Sequence, residues 1–153
     1  MSSDTIAIPL SEMESLSIFK SLKTPKNVGE VSDLNLMEFK KGLMNCVFSG
    51  RKNMPEEIMD YPPNYFELDV SSYVKTDDQV NGVFLVHKNQ DAQLEIKLMH
   101  ANGRPDYAKN LVYMIRNAYA SALEYYPADT EVAIPLRSDE AIALIRKLFP
   151  GRI

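Results

Sequence analysis

Val80–Met99 reads VNGVFLVHKNQDAQLEIKLM, and three patterns follow one another within it. Val80–His87 is almost wholly apolar, which suits a strand covered on both faces. Lys88–Asp91 (KNQD) has the composition of a tight turn. In Ala92–Met99, Leu94, Ile96 and Leu98 alternate with Gln93, Glu95 and Lys97, the period of a half-buried strand. These runs predict an antiparallel hairpin. Tyr65–Val74 precedes it and is rich in β-forming residues, so three strands in succession make a meander.

Downstream, Asn102–Asp106 is a turn, and Leu111, Ile115, Ala118 and Ala122 mark one face of a long helix ending at Pro127. Glu131–Leu136 (EVAIPL) reads as a strand. Ser138 or Asp139 caps a last helix with Ala141, Leu144, Ile145 and Leu148 inward. A strand–helix–strand connection of this length predicts that Glu131–Leu136 runs parallel to Ala92–Met99. Upstream, Thr5–Leu10 is a short strand held to an edge by Pro9. Ser11 and Glu14 form a capping-box pattern for a helix to about Leu22, and Thr24–Glu30 reads as a loop. A second helix starts near Ser32 or Asp33, with Leu36, Phe39, Leu43 and Val47 on one face, and Arg51–Asn64 is irregular. The predicted class is α/β with a mixed sheet, in the order β-α-α-β-β-β-α-β-α.

A chain of 153 residues fits one domain, read here as residues 1–153 with a variable helical part over 1–64 and the sheet over 65–153. Hydrophobic residues make up 45% and charged residues 25%, as in ordinary globular proteins. The single cysteine, Cys46, lies in an apolar run, which excludes an intrachain disulfide and favours a buried thiol and a reducing, cytoplasmic setting. No apolar run approaches the ~20 residues needed to span a bilayer, and no leader pattern opens the chain. With a formal net charge of −4 and no concentrated basic face, nucleic acid is not the expected partner. His87 and His100, on successive strands, are too few ligands for a metal, so none is expected.

Asn81–Leu98 resembles the paired central strands of the GNAT acetyltransferase family, and SDEAIALIRKLFP (Ser138–Pro150) is similar to that family's closing helix, written N-x-x-A-x-x-L-Y-x-x-x-G-F. The resemblance covers roughly Val80–Pro150 and implies a GNAT-like fold and an acyl-CoA-dependent N-acyltransferase with acetyl-CoA as cofactor. It implies Glu95 or His100 as the base that deprotonates the amine, and Leu98, Arg104 and Lys109 as cofactor-binding residues. The family's pyrophosphate loop, [RQ]-x-x-G-x-[GA], corresponds to Arg104-Pro105-Asp106-Tyr107-Ala108-Lys109, where Tyr107 and Lys109 replace the small residues. Glycines there let backbone N–H groups approach the phosphates, so the substitutions weaken the cradle. The family's tyrosine acid falls at Ile145, which donates no proton.

Two classes of function stand open on these residues. One is the N-acyltransferase; the other is a binding or regulatory protein on the same fold with the cofactor cleft lost or repurposed. The aromatic–proline stretch Asp60–Phe66 reads as a lid or a docking surface, and Tyr113, Tyr119, Tyr125 and Tyr126 crowd the long helix. Family members continue into two further strands after the last helix. Without them, Glu131–Leu136 is expected to be an exposed edge that a homodimer or protein partner covers.

Overall fold

The computed structural model describes residues 5–14, 16, 25–49, 60–101, 107–136 and 139–151. One mixed sheet holds β1 (Thr5–Pro9), β2 (Val28–Glu30), β3 (Ser72–Thr76), β4 (Gln79–Lys88), β5 (Leu94–Ala101) and β6 (Glu131–Pro135). Among the described residues the helices are α1 (Leu10–Glu14), α2 (Leu36–Ser49), α3 (Tyr107–Tyr125) and α4 (Asp139–Leu148), with short 3₁₀ turns at Val31–Asp33, Pro63–Tyr65 and Leu68–Val70. In space the strands run β1-β6-β5-β4-β3-β2. Every pair is antiparallel except β5–β6, which are parallel neighbours joined through α3. The meander β3-β4-β5 and the crossover are as the apolar patterns predict.

β4 is apolar on both sides because both its faces are covered. Phe84 and Val86 join one core with Leu111, Met114, Ile115, Ala118 and Ala122 of α3, and with Leu144, Ile145 and Leu148 of α4. Val83 and Leu85 join the other with Phe39, Leu43 and Cys46 of α2 and with Phe66. Burial of the Cys46 thiol pushes it up to about 12, so it packs as an apolar group and stays a thiol at neutral pH.

A β-bulge corrects the simple alternation expected in β5. Leu85 pairs with Leu98 while the next residue, Val86, pairs with Ile96, so Lys97 is the extra residue. One extra residue reverses the side-chain parity beyond it. Leu94 and Ile96 therefore face α3, whereas Leu98 faces α2.

The N-terminal third departs furthest from its pattern. The first helix begins at Leu10, and Ser11 is inside it, donating its backbone N–H to the Ala128 carbonyl (2.9 Å) rather than capping. The stretch expected to extend this helix to Leu22 lies mostly outside the described residues. Val28–Glu30, expected in a loop, is a strand because β3 pairs with it; three residues are too short to show an alternation. The second helix starts later, where Asn35 and Glu38 make a reciprocal capping box: Asn35 Oδ1 accepts from the Glu38 N–H (2.8 Å) and Glu38 Oε1 from the Asn35 N–H (3.3 Å). Its buried stripe is Phe39, Gly42, Leu43 and Cys46, and Leu36 is 57% exposed instead of inward. Tyr65–Val70, expected in the first strand of the meander, forms two 3₁₀ turns; the strand itself is Ser72–Thr76.

The exposed edge is overturned as well. β1 lies antiparallel on β6, with Thr5 opposite Pro135 and Pro9 opposite Glu131. The chain's own N-terminal strand covers β6, so that edge no longer argues for a second subunit. The edge position suits Pro9, which lacks an N–H to give.

Gly42 sets the distance of α2 from the sheet. A Cβ there would meet Val80 Cγ1 at 2.5 Å and Cβ at 2.6 Å. Alanine favours a helix interior by about 1 kcal/mol over glycine, but overpacking against a buried β-branched side chain costs about 1–3 kcal/mol. Gly42→Ala is expected to lower stability in urea denaturation; a more stable variant would show that α2 sits further from β4.

Candidate functional site

Two features of the sheet meet at Glu95, which makes this the place to look for chemistry. The first is a fork. The parallel ladder joins Leu94 to Val132 and Glu95 to Ala133, yet β5 continues to Ala101 and β6 to Pro135 with no further bridge between them among the described residues. The second is the bulge at Lys97, on the β5 side of that fork. Bulges turn a strand and re-aim its side chains, and they recur beside active sites.

Around Glu95 the turn and both strands assemble a polar–aromatic cluster. His87 is its direct cross-strand neighbour on β4. Lys97 Nζ lies 2.8 Å from Glu95 Oε2, with the two side chains 16% and 22% exposed. Asn89 Nδ2 donates to Glu95 Oε1 at 3.5 Å, while Asn89 Oδ1 accepts from the backbone N–H of Asp91 and of Gln93, both at 3.0 Å. Ala92, at φ 60°, completes the turn in the left-handed region. The Tyr65 ring is stacked on His87 (centroids 3.8 Å, 3° between planes) and Tyr61 on Tyr65 (4.0 Å, 6°). His87 Nδ1 lies 2.7 Å from the Tyr65 carbonyl oxygen, which fits an Nδ1–H donor, and Lys97 Nζ stands 5.8 Å from the Tyr65 ring centre.

The electrostatics fix the state of the carboxyl. Partial burial raises Glu95, but the hydrogen bond and charge of Lys97, the Asn89 amide and the charge of His87 outweigh it and hold the group below the usual carboxylate range. Burial likewise lowers Lys97, yet Glu95 and the Tyr65 hydroxyl more than restore it, so its ammonium is held above the usual lysine value. The result is a lasting ion pair. A carboxylate made less basic and already bonded to an ammonium is a poor proton acceptor for an amine.

The other sequence-chosen residues lie elsewhere. His100 is buried opposite Val83, on the α2 face, five residues and roughly 15 Å of strand from Glu95. Leu98 is buried opposite Leu85 in the core under α2. Lys109 is exposed in the first turn of α3 with its ammonium 5.9 Å from the Tyr113 ring. Arg104, with the rest of residues 102–106, lies outside the described residues. Ile145 is buried in the core. His87 and His100 sit on opposite stretches of the β4–β5 pair and do not meet, and no group of three or more metal-ligating side chains occurs among the described residues. No helix among them is long and apolar enough to cross a membrane. Sequence reasoning missed His87, Lys97 and Tyr65 as a set; a turn at Lys88–Asp91 puts His87 opposite Ala92, whereas the observed connection, Asn89–Gln93, puts it opposite Glu95.

Tyr126, one of the helix tyrosines, is engaged too: its hydroxyl donates to the Glu67 carboxylate, and burial first, then Glu67, pushes its phenol up to about 12. It lies at the far end of α3 from Lys109.

The ion pair yields a double test. Lys97→Met leaves a half-buried carboxylate unpaired and is expected to cost about 1–3 kcal/mol, with Glu95→Gln/Lys97→Met recovering most of it. Because folding depresses the Glu95 pKa, its contribution is present above the unfolded value near 4.3 and is lost as pH falls through the lower folded value. Wild type minus Glu95→Gln stability, measured by urea denaturation, should therefore shrink on acidification below about pH 4.5. A difference that grows on acidification would contradict the pairing.

Compared with known proteins, the chain matches no family model, and no curated protein sequence matches it significantly.

Proposed function

We propose that this chain is a binding or regulatory protein on a GNAT-like frame, with the fork between β5 and β6 as its ligand cleft and without N-acyltransferase chemistry. The observation that carries the reading is the Glu95–Lys97 ion pair. It ties up the one carboxylate beside the fork that the resemblance nominates as base. Two further points support it. His100, on the β5 arm of the fork, is buried on the α2 face, and the position of the family's tyrosine acid is a core isoleucine. Direct attack on a thioester needs a proton acceptor for the amine and a donor for the leaving thiolate; of the residues the resemblance nominates, Glu95 is paired, His100 is buried and Ile145 has no proton to give.

The fork itself suits an extended, amide-bearing ligand. Beyond Glu95 and Ala133 the facing edges of β5 and β6 are no longer bridged to each other, and a chain laid between them pairs with backbone groups as an added strand does. The pantetheine arm of acetyl-CoA is such a chain, and this same feature favours the second reading, the N-acyltransferase. Lys109 then supplies a point charge toward phosphate from the first turn of α3. Arg104 joins it on the resemblance alone, and Leu98 contributes its backbone on the cofactor strand. The binding reading implies a protein partner and fits a cytoplasmic chain with a single buried thiol.

Calorimetric titration with acetyl-CoA and with coenzyme A, combined with thiol-release assays on amine acceptors, separates the two. The expected result is weak, non-saturating heats and no thiol release above background. Saturable binding with turnover that falls at least about 100-fold in Glu95→Gln would establish the transferase instead.

A further inference from the structure

The large apolar side chains that stand exposed among the described residues are Leu36, Met37, Met44 and Tyr125. They fall in two places, and the two places carry opposite charge. Leu36, Met37, Lys40, Lys41 and Met44 line one groove along α2, at the helical spacing i, i+1, i+4, i+5 and i+8. This is the side of α2 turned away from Phe39, Gly42, Leu43 and Cys46. Its charged side chains are both lysines. The nearest carboxylate of the helix, Glu38, is taken by Lys75 at 3.1 Å and by the Asn35 N–H.

Tyr125, 57% exposed, ends α3 among carboxylates. The 3₁₀ turn Leu68–Val70, which carries Asp69, packs against α3, and Glu124 precedes Tyr125 on the helix; Asp69 first, then burial, then Glu30 and Glu124 hold the Tyr125 phenol above the ordinary value. Glu30 is anchored there by the Ser121 hydroxyl, which donates to its Oε1 at 2.7 Å. On the neighbouring tyrosine, Lys88 stands over the Tyr126 ring at 5.7 Å and Tyr126 takes up Glu67. The surface around Tyr125 is therefore aromatic and acidic.

We propose that the acidic Tyr125 surface of one molecule docks in the α2 groove of a second copy, head to tail. Each side offers what the other lacks: an aromatic ring and three carboxylates against a methionine–leucine groove flanked by two lysines. Methionine-lined grooves adapt to an inserted ring, and tyrosine suits an interface because its ring is apolar and its tip polar. Opposite charges steer the encounter and set its register. α2 and α3 cover opposite faces of the sheet, so one molecule cannot satisfy its own groove. The contact is consequently heterologous, and it repeats from copy to copy. A contact made by one exposed ring on one helix face suits a weak, reversible association. The contact is independent of the fork and of any ligand there.

Sedimentation velocity and light scattering over a concentration series test it. Wild type is expected to gain mass with concentration, and the gain is expected to shrink as salt rises from 50 to about 500 mM, where the Debye length falls to about 4 Å. Lys40→Glu/Lys41→Glu should weaken association at least about tenfold, and so should Asp69→Asn/Glu124→Gln/Tyr125→Ala. All five positions are exposed, so circular dichroism should report unchanged folding. Mixing the two variants is decisive: the first keeps a working acidic surface and the second a working groove, so the mixture should form dimers that grow no further. Wild type that remains monomeric throughout, or a mixture that remains monomeric, overturns the proposal. Binding of the groove to phosphatidylserine vesicles in place of self-association overturns it too.

Discussion

A parallel strand inside a sheet must be reached by a crossover, and everything in this fold depends on how β6 is seated at the end of one. α3 carries the chain from β5 back across the sheet and buries Leu111, Met114, Ile115, Ala118 and Ala122 on the way. That burial holds β6 beside β5, although the ladder between them spans two residue pairs. β6 is completed from its other side by β1, whose five residues come from the opposite end of the chain. Backbone groups of a buried strand must find partners. Here β1 supplies them, so the first described strand is paired to the last one.

The short ladder and the bulge at Lys97 are linked consequences of that seating. Beyond Glu95 the two strands part, and β5 takes one extra residue where it opposes β4. The extra residue turns Leu98 toward α2 while Ile96 remains toward α3, so one strand serves two cores. It also leaves Glu95 and Lys97 close enough to pair, under a stack of Tyr61, Tyr65 and His87. The carboxylate that the resemblance nominates as base is thus half of an ion pair.

The two open readings of function differ in what such an ion pair is for. In a catalyst, a carboxylate beside a cleft keeps its basicity by staying free of fixed cations. In a binding protein, a pre-formed pair of charges with stacked rings gives a rigid wall, since each group's rotamer is fixed by the next. The second description is closer to the arrangement around Glu95. The remaining exposed apolar side chains lie away from this wall, on α2 and at the end of α3. The docking surfaces proposed here are then separate from the fork.

What the sequence determined by itself were the elements whose patterns are long and local. Val80–His87 could only be a strand covered on both faces, Leu111–Ala122 a helix stripe, and the spacing from β5 through α3 to β6 a parallel crossover. Each rests on periodicity, which is set by backbone geometry and needs no knowledge of distant residues. The tertiary structure alone decided the rest, because it depends on pairings between residues far apart in the chain. Val28–Glu30 is a strand because β3 lies beside it; Leu36 is exposed because Gly42, close against Val80, turns α2 onto Phe39, Leu43 and Cys46. β6 is covered because β1 reaches it. Glu95 was legible as a candidate, and alternation put Lys97 two residues along the same strand, but the state of the carboxyl was not legible: the structure brings the ammonium to 2.8 Å from it beside the bulge. No alternation of apolar and polar residues along a single strand encodes that distance.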